Sequence, residues 1–178
     1  MRIVAGKYKG RTLLEFSGND IRPTADRVRE SLFNIIQNKT AGSVFLDLYC
    51  GTGAIGIEAL SRNALKVVFN DISKSSLTLV KKNLEKIKVD EEFEISNCDA
   101  VRLLNTTNKK FDIIFIDPPY KSPNKYDSLS YCKLALKDNG IVIFEDEVEW
   151  QGEIEGLTVY DKRKYGRVHL AFFKKEEK

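Results

Sequence analysis

The chain has 178 residues, 42% hydrophobic and 31% charged, enough for one compact domain with its own core. No apolar run approaches the ~20 residues that span a bilayer. The opening MRIVAGKYKGR lacks the apolar centre of a secretory signal, so a cytoplasmic protein is expected and a membrane partner is not. Net charge is +3 but unevenly placed. Residues 1–29 hold seven basic side chains (Arg2, Lys7, Lys9, Arg11, Arg22, Arg27, Arg29) against Glu15, Asp20 and Asp26, a local +4 that leaves −1 for the rest. Such a basic segment fits either a polyanion partner at one edge or a solvated face. The three cysteines, Cys50, Cys98 and Cys132, form no CxxC pair, and His169 is the one histidine. Three reduced thiols and no metal are therefore expected.

Residues 2–5 and 11–15, separated by Gly6 and Gly10, read as a small basic β-hairpin, so that 1–16 extends a core over 17–178 within a single domain 1–178. Residues 17–23 form a loop. Pro23-Thr24 then opens a helix through about Gln37, with Thr24 or Asp26 as cap and Val28, Leu32, Phe33, Ile35 and Ile36 as its apolar face. Strand candidates follow at 43–48, 66–70, 93–97, 111–116 and 140–145, alternating with helical patterns at 54–62, 73–88, about 99–105 and 126–137. That alternation predicts an α/β fold, a parallel sheet with helices on both faces. The last two runs, 156–161 and 167–174, meet through Arg163-Lys164-Tyr165-Gly166 without a helix and predict a closing hairpin with an antiparallel last strand. The KKEEK end reads as a frayed tail.

Asp47, Tyr49, Gly51, Gly53 and Gly56 lie on a strand–turn–helix segment, FLDLYCGTGAIG. Glycines at 51 and 53 let backbone approach a ligand closely, and Gly56 lets the helix pack on the strand. The spacing alone also fits a dinucleotide turn. Asp47 moves the reading: a carboxylate there repels a pyrophosphate but can pair with a cationic α-amino group, which S-adenosylmethionine carries. The alternative for Asp47 is a structural partner for loop amides. Asp71, twenty residues after Gly51, is placed to accept from ribose hydroxyls or to cap the helix from Ser73; Asp99 is placed to accept from an adenine amino group or to cap the next helix.

Asp117-Pro118-Pro119-Tyr120 directly follows the strand 111–116. Two prolines block both helix start and strand continuation and fix an extended loop, at the strand end where open α/β sheets bind ligands. The residue types suit methylation of an exocyclic aromatic amine. The Asp117 carboxylate and the Pro118 carbonyl can hold its two N–H bonds and turn its lone pair toward a methyl donor, while Tyr120 stacks on the base.

The segments Met1–Arg11 and Arg22-Pro-Thr-Ala-Asp-Arg-Val-Arg-Glu-Ser-Leu-Phe-Asn34, with Lys164-Tyr165-Gly166, resemble the signatures of the RsmD family. These are Rossmann-like class I methyltransferases acting on guanine N2 of small-subunit (16S) rRNA. The resemblance implies S-adenosylmethionine held by Asp47, Tyr49, Gly51, Gly53, Asp71 and Asp99, with Asp71 standing where the family usually has glutamate. It implies a guanine held by Asp117, Pro118, Pro119 and Tyr120. It also implies RNA contacts from Arg2, Lys7, Lys9, Arg11, Arg22, Thr24, Arg27, Arg29 and Tyr165. Acting as a monomer on an assembling small subunit is a further expectation.

Other readings of the same residues are a DNA adenine or cytosine amino-methyltransferase, a non-catalytic RNA-binding Rossmann-like protein, and an NAD-linked oxidoreductase. The last leaves Asp47 and the diproline loop unexplained. His169 and Trp150 read as packing residues, and Lys81, Lys82, Lys86 and Lys88 as a solvated helix face.

Overall fold

A computed structural model describes residues 1–16, 26–119 and 125–176. Seven strands form one sheet: β1 (Val44–Asp47), β2 (Lys66–Asn70), β3 (Glu92–Ser96), β4 (Phe111–Ile116), β5 (Leu136–Asp146), β6 (Leu157–Tyr165) and β7 (Val168–Lys175), in the order β3-β2-β1-β4-β5-β7-β6. The first five are parallel, and β7 is antiparallel to both β5 and β6. Six helices accompany them: α1 (Asp26–Ile35), α2 (Gln37–Thr40), α3 (Ala54–Ser61), α4 (Lys74–Lys86), α5 (Ala100–Thr106) and α6 (Asp127–Ala135). Among the described residues no helix is long and apolar enough to cross a membrane.

The central strands are buried on both faces, so they read as unbroken apolar runs whose alternate residues enter different cores. Phe45, Val67, Phe69, Ile113, Phe115 and Ile143 pack with Leu32 and Phe33 of α1, Ile57 and Leu60 of α3 and Leu77 and Val80 of α4. Leu46, Val68, Ile114, Ile116 and Val142 pack with Leu104 of α5 and Leu129 and Cys132 of α6. Strand order reverses between β1 and β4, which opens a crevice at their carboxyl ends.

Three expectations change. The closing hairpin turns later than its sequence suggested: β6 continues through Arg163, Lys164 and Tyr165, and only Gly166 and Arg167 lie between Tyr165 and Val168, with Gly166 at φ +61°. The N-terminal helix breaks at Ile36 before α2, and its predicted start at Pro23-Thr24 lies outside the described residues. The N-terminal hairpin is reduced to a single antiparallel bridge, Arg2 with Thr12. The pairing stops at Ile3. The amides of Val4 and Ala5 point away from the returning chain and donate to Glu58 of α3 at 2.8 and 3.0 Å. Around that bridge the Ile3 amide donates to the Arg11 carbonyl, Gly10 to Ile3 and Leu13 to Met1, and the segment also docks on the body: Ile3, Tyr8 and Leu13 are buried in the α3–α4 core, and Gly6 lies so close to Ser61 that a Cβ there would collide with its carbonyl.

Candidate active site

The crevice is floored by the loop after β1. Gly51 and Gly53 both have positive φ, +51° and +78°, the left-handed region that disfavours side chains. The Gly53 amide donates to the Cys50 carbonyl at 2.6 Å, closing the turn, and α3 starts at the next residue. Three residues on, a Cβ at Gly56 would lie 2.3 Å from the Phe69 ring, so helix and sheet approach as only glycine permits.

Asp47 ends β1, 1% exposed, and its Oδ2 accepts from the Gly56 amide at 2.9 Å. The loop-amide role considered for it is thus present. Oδ1 takes no donor among the described residues. Burial pushes this carboxyl up to about 7; the Gly56 bond opposes the shift and nearby Asp71 adds to it. Asp71 accepts from Gly51 N at 3.0 Å and from Ser73 N at 2.8 Å, so it holds the glycine turn and the entry to α4 together, while Ser73 itself caps that helix. Asp99 caps α5 through the Arg102 amide at 3.0 Å and remains exposed. Tyr49 is half-buried on the α5–α6 face, and burial raises its hydroxyl.

Asp117 and Pro118 follow β4, which lies between β1 and β5. Asp117 therefore sits between the strand ends that carry Asp47 and Glu145-Asp146. Enclosure raises its carboxyl well above the ordinary range, and the charges of Glu145, Asp47 and Asp146 add to the rise. Pro118 is buried and Pro119 exposed; Tyr120, Arg22 and Thr24 lie outside the described residues. Asp146 is neutralised by Lys125 at 2.7 Å and accepts from the Tyr126 hydroxyl at 3.1 Å. The crevice thus gathers carboxylates that ionise reluctantly, a setting that favours a cation.

The predicted RNA contacts separate. Arg29 is fully buried and faces Glu58 at 3.5 Å and Asp26 at 2.8 Å, so it is a structural cation rather than a surface contact. Lys7 is held by Asp90 and Glu91, and Arg11 donates to the Ile87 carbonyl and stacks 4.8 Å over Tyr8. Arg2, Lys9 and Arg27 are exposed, and Tyr165 is half-buried against the α3–α4 core. Trp150 packs edge-on to Tyr126, Phe144 and Phe173.

Sequence reading missed three buried polar side chains that build the site. Glu58 ties the N-terminal segment to α3. Asn70 donates to the carbonyls of Leu48 and Cys98, joining three strand ends. Asn83 donates to the carbonyls of Leu14 and Thr52. The available signal was a polar residue at an apolar position, Glu58 in AIGIEALS and Asn83 three residues after Val80 on the buried stripe of α4.

The family described as conserved hypothetical protein 95 matches residues 1–174. YlbH of Bacillus subtilis, assigned as an rRNA methyltransferase, is 35% identical, with 98% of this chain and 99% of that protein covered. Ribosomal RNA small subunit methyltransferase D of Haemophilus influenzae is 36% identical, covering 83% of this chain and 79% of its own. Among solved structures, yhhF of Escherichia coli, assigned as a methyltransferase, superposes with a TM-score of 0.88 at 28% identity, over 99% of this chain and 98% of that one.

Proposed function

The chain belongs to the conserved hypothetical protein 95 family, and from that premise we propose that it is an rRNA methyltransferase that moves a methyl group from S-adenosylmethionine to the exocyclic N2 of a guanine in 16S rRNA. The observation that carries this reading is the crevice between β1 and β4, with a glycine turn on one side and Asp117-Pro118 on the other.

The residues fit that cofactor on their own chemistry. Asp47 spends Oδ2 on the Gly56 amide and leaves Oδ1 for a ligand in a site that resists ionisation, and a cationic amino group favours the ionised form. The left-handed glycines 51 and 53 leave backbone open to an adenosine moiety. Each oxygen of Asp71 carries one protein bond and retains a lone pair for a ribose hydroxyl; Asp99, exposed beyond β3, is available to an adenine amino group. Tyr49 closes the adenosine side. When bound, S-adenosylmethionine supplies a methyl group on sulfur that leaves a neutral thioether behind.

Asp117 and the Pro118 carbonyl accept the two N–H bonds of the guanine amine and aim its lone pair at the methyl carbon. Pro119 restricts the backbone that carries that carbonyl, and we assign Tyr120 to stack on the base. Methylation would leave the nitrogen cationic. Asp117, whose surroundings raise its proton affinity, takes the departing proton and passes it to solvent. The guanine must be unpaired or flipped, since N2 is shielded inside a stem. We assign the work to a monomer in the cytoplasm, acting on an assembling small subunit whose proteins add to its grip.

The test is mass spectrometry of nucleosides from small subunits of a strain lacking the gene, before and after incubation with the protein and labelled cofactor. N2-methylguanosine is expected. Label in another nucleoside overturns the guanine assignment, and no label in any rRNA overturns the substrate class.

A further inference from the structure

We propose that the β6–β7 turn, rather than the basic N-terminal segment, is the main docking surface for the phosphate backbone of the RNA substrate; this rests on the rRNA methyltransferase reading above.

The two basic regions differ in how closely their free charge is gathered. In the N-terminal region Lys7 is held by two carboxylates, Arg11 by a carbonyl and a ring, and Arg29 is buried, which leaves Arg2, Lys9 and Arg27 exposed but scattered along the segment. At the turn, Lys162, Arg163, Lys164 and Arg167 are all exposed within six residues. Lys162 donates to the Trp150 carbonyl at 2.5 Å and lies 3.8 Å from Glu149, and Arg163 lies 3.0 Å from Asp161. Exposed pairs of this kind are weak, so a phosphate can compete for either cation. Lys164 and Arg167 have no ionic partner among the described residues. They flank Tyr165-Gly166 at the tip of the hairpin.

Position supports the same assignment. Antiparallel register sets Asp146, at the carboxyl end of β5, opposite His169, and His169 opposite Lys164. The turn therefore rises from the edge of the sheet that carries Asp117. From β4 to β6 is three strand spacings, about 14 Å, the length of about four stacked nucleotides at ~3.4 Å each. A strand presenting one base at Asp117 lays its neighbouring phosphates over this turn. A cleft of about 150 Å³ between Trp150, Lys162, Lys164 and His169 opens there. At roughly 30 Å³ per liquid water it has room for a single phosphate-sized group, with ammonium and imidazole donors around it and Glu149 at its margin.

The experiment compares Lys164→Gln/Arg167→Gln with Arg2→Gln/Lys9→Gln and the parent. Binding to a 16S rRNA transcript is measured by filter retention across a salt series, and S-adenosylmethionine affinity by calorimetry as the control for folding. The turn variant is expected to lose about tenfold in RNA affinity at low salt. Its log–log salt slope should fall by about 1.4, as two lost contacts to single-stranded RNA require, with cofactor affinity retained. RNA affinity within twofold of the parent, or a larger loss in the Arg2/Lys9 variant, overturns the proposal. Methyl transfer by the parent is read in the same preparation: a parent that transfers no methyl group to rRNA overturns the proposed function and this inference with it.

Discussion

Asn83 and Leu14 exchange two hydrogen bonds across a sequence gap of 69 residues, Leu14 N to Oδ1 at 2.7 Å and Nδ2 to the Leu14 carbonyl at 3.1 Å. The same Nδ2 donates to the Thr52 carbonyl, between Gly51 and Gly53, at 3.0 Å. One fully buried amide thus copies a strand pairing for the N-terminal segment and braces the glycine turn. Asn83→Ala leaves buried backbone groups unpaired and is expected to cost about 1–3 kcal/mol in denaturant unfolding. Hydrogen exchange should rise at Leu14, and S-adenosylmethionine affinity should fall in the folded protein. Unchanged exchange at Leu14 would show that the segment is held by other contacts.

Glu58 and Arg29 are both fully buried, and Glu58 also accepts from Val4, Ala5 and Arg62. Removing one charge of a buried pair strands the other, at about 3–5 kcal/mol. Glu58→Gln is expected to lower the unfolding free energy by that order. Arg29→Met leaves the buried Glu58 with Arg62 as its remaining ionic partner and is expected to cost a comparable amount. If Arg29 is structural, the salt slope of RNA binding is unchanged in the folded fraction of Arg29→Met; a slope reduced by about one contact would place Arg29 on the RNA.

Asp117→Ala removes an acceptor for the guanine amine and the group assigned its proton. Methyl transfer should fall by about 10²–10⁴, while cofactor binding survives, because Asp47, Asp71 and the glycine turn remain in place. Calorimetry and single-turnover transfer separate the two effects. Equal loss of both would make the loop's role structural.

The Asp47 carboxyl, raised to about 7, predicts a pH dependence of ligand affinity. A cation binds the ionised form, so below pH 7 binding must release a proton. S-adenosylmethionine affinity is expected to rise by up to tenfold per unit from pH 5.5 to 7. Proton release, read from calorimetry in buffers of different ionisation enthalpy, should shrink over the same range. Stability of the free protein runs the other way. The folded state holds a proton that the unfolded chain releases near 3.8, so this contribution is present below that value and lost as pH rises through about 7. Asp47→Asn should flatten both profiles; a persistent pH dependence in that variant would move the linkage to Asp117.

The order of strands and helices and the place of the site at strand ends were legible in the amino-acid sequence, because each is encoded within about ten consecutive residues. The apolar runs mark β1, β2 and β4, the glycines at 51, 53 and 56 mark a close turn, and the prolines at 118 and 119 forbid regular structure after β4. Only the tertiary structure decided what long-range partners do. That the segment is anchored to the body through the Val4 and Ala5 amides depended on Glu58, more than fifty positions away. Asn70 and Asn83 brace the crevice with side-chain bonds to distant backbone, and the sequence does not say which carbonyls those are. Charge behaved the same way: a count of +4 over residues 1–29 could not reveal that Arg29 is buried and that Lys7 faces two acids, since a cation's availability depends on what folding brings beside it.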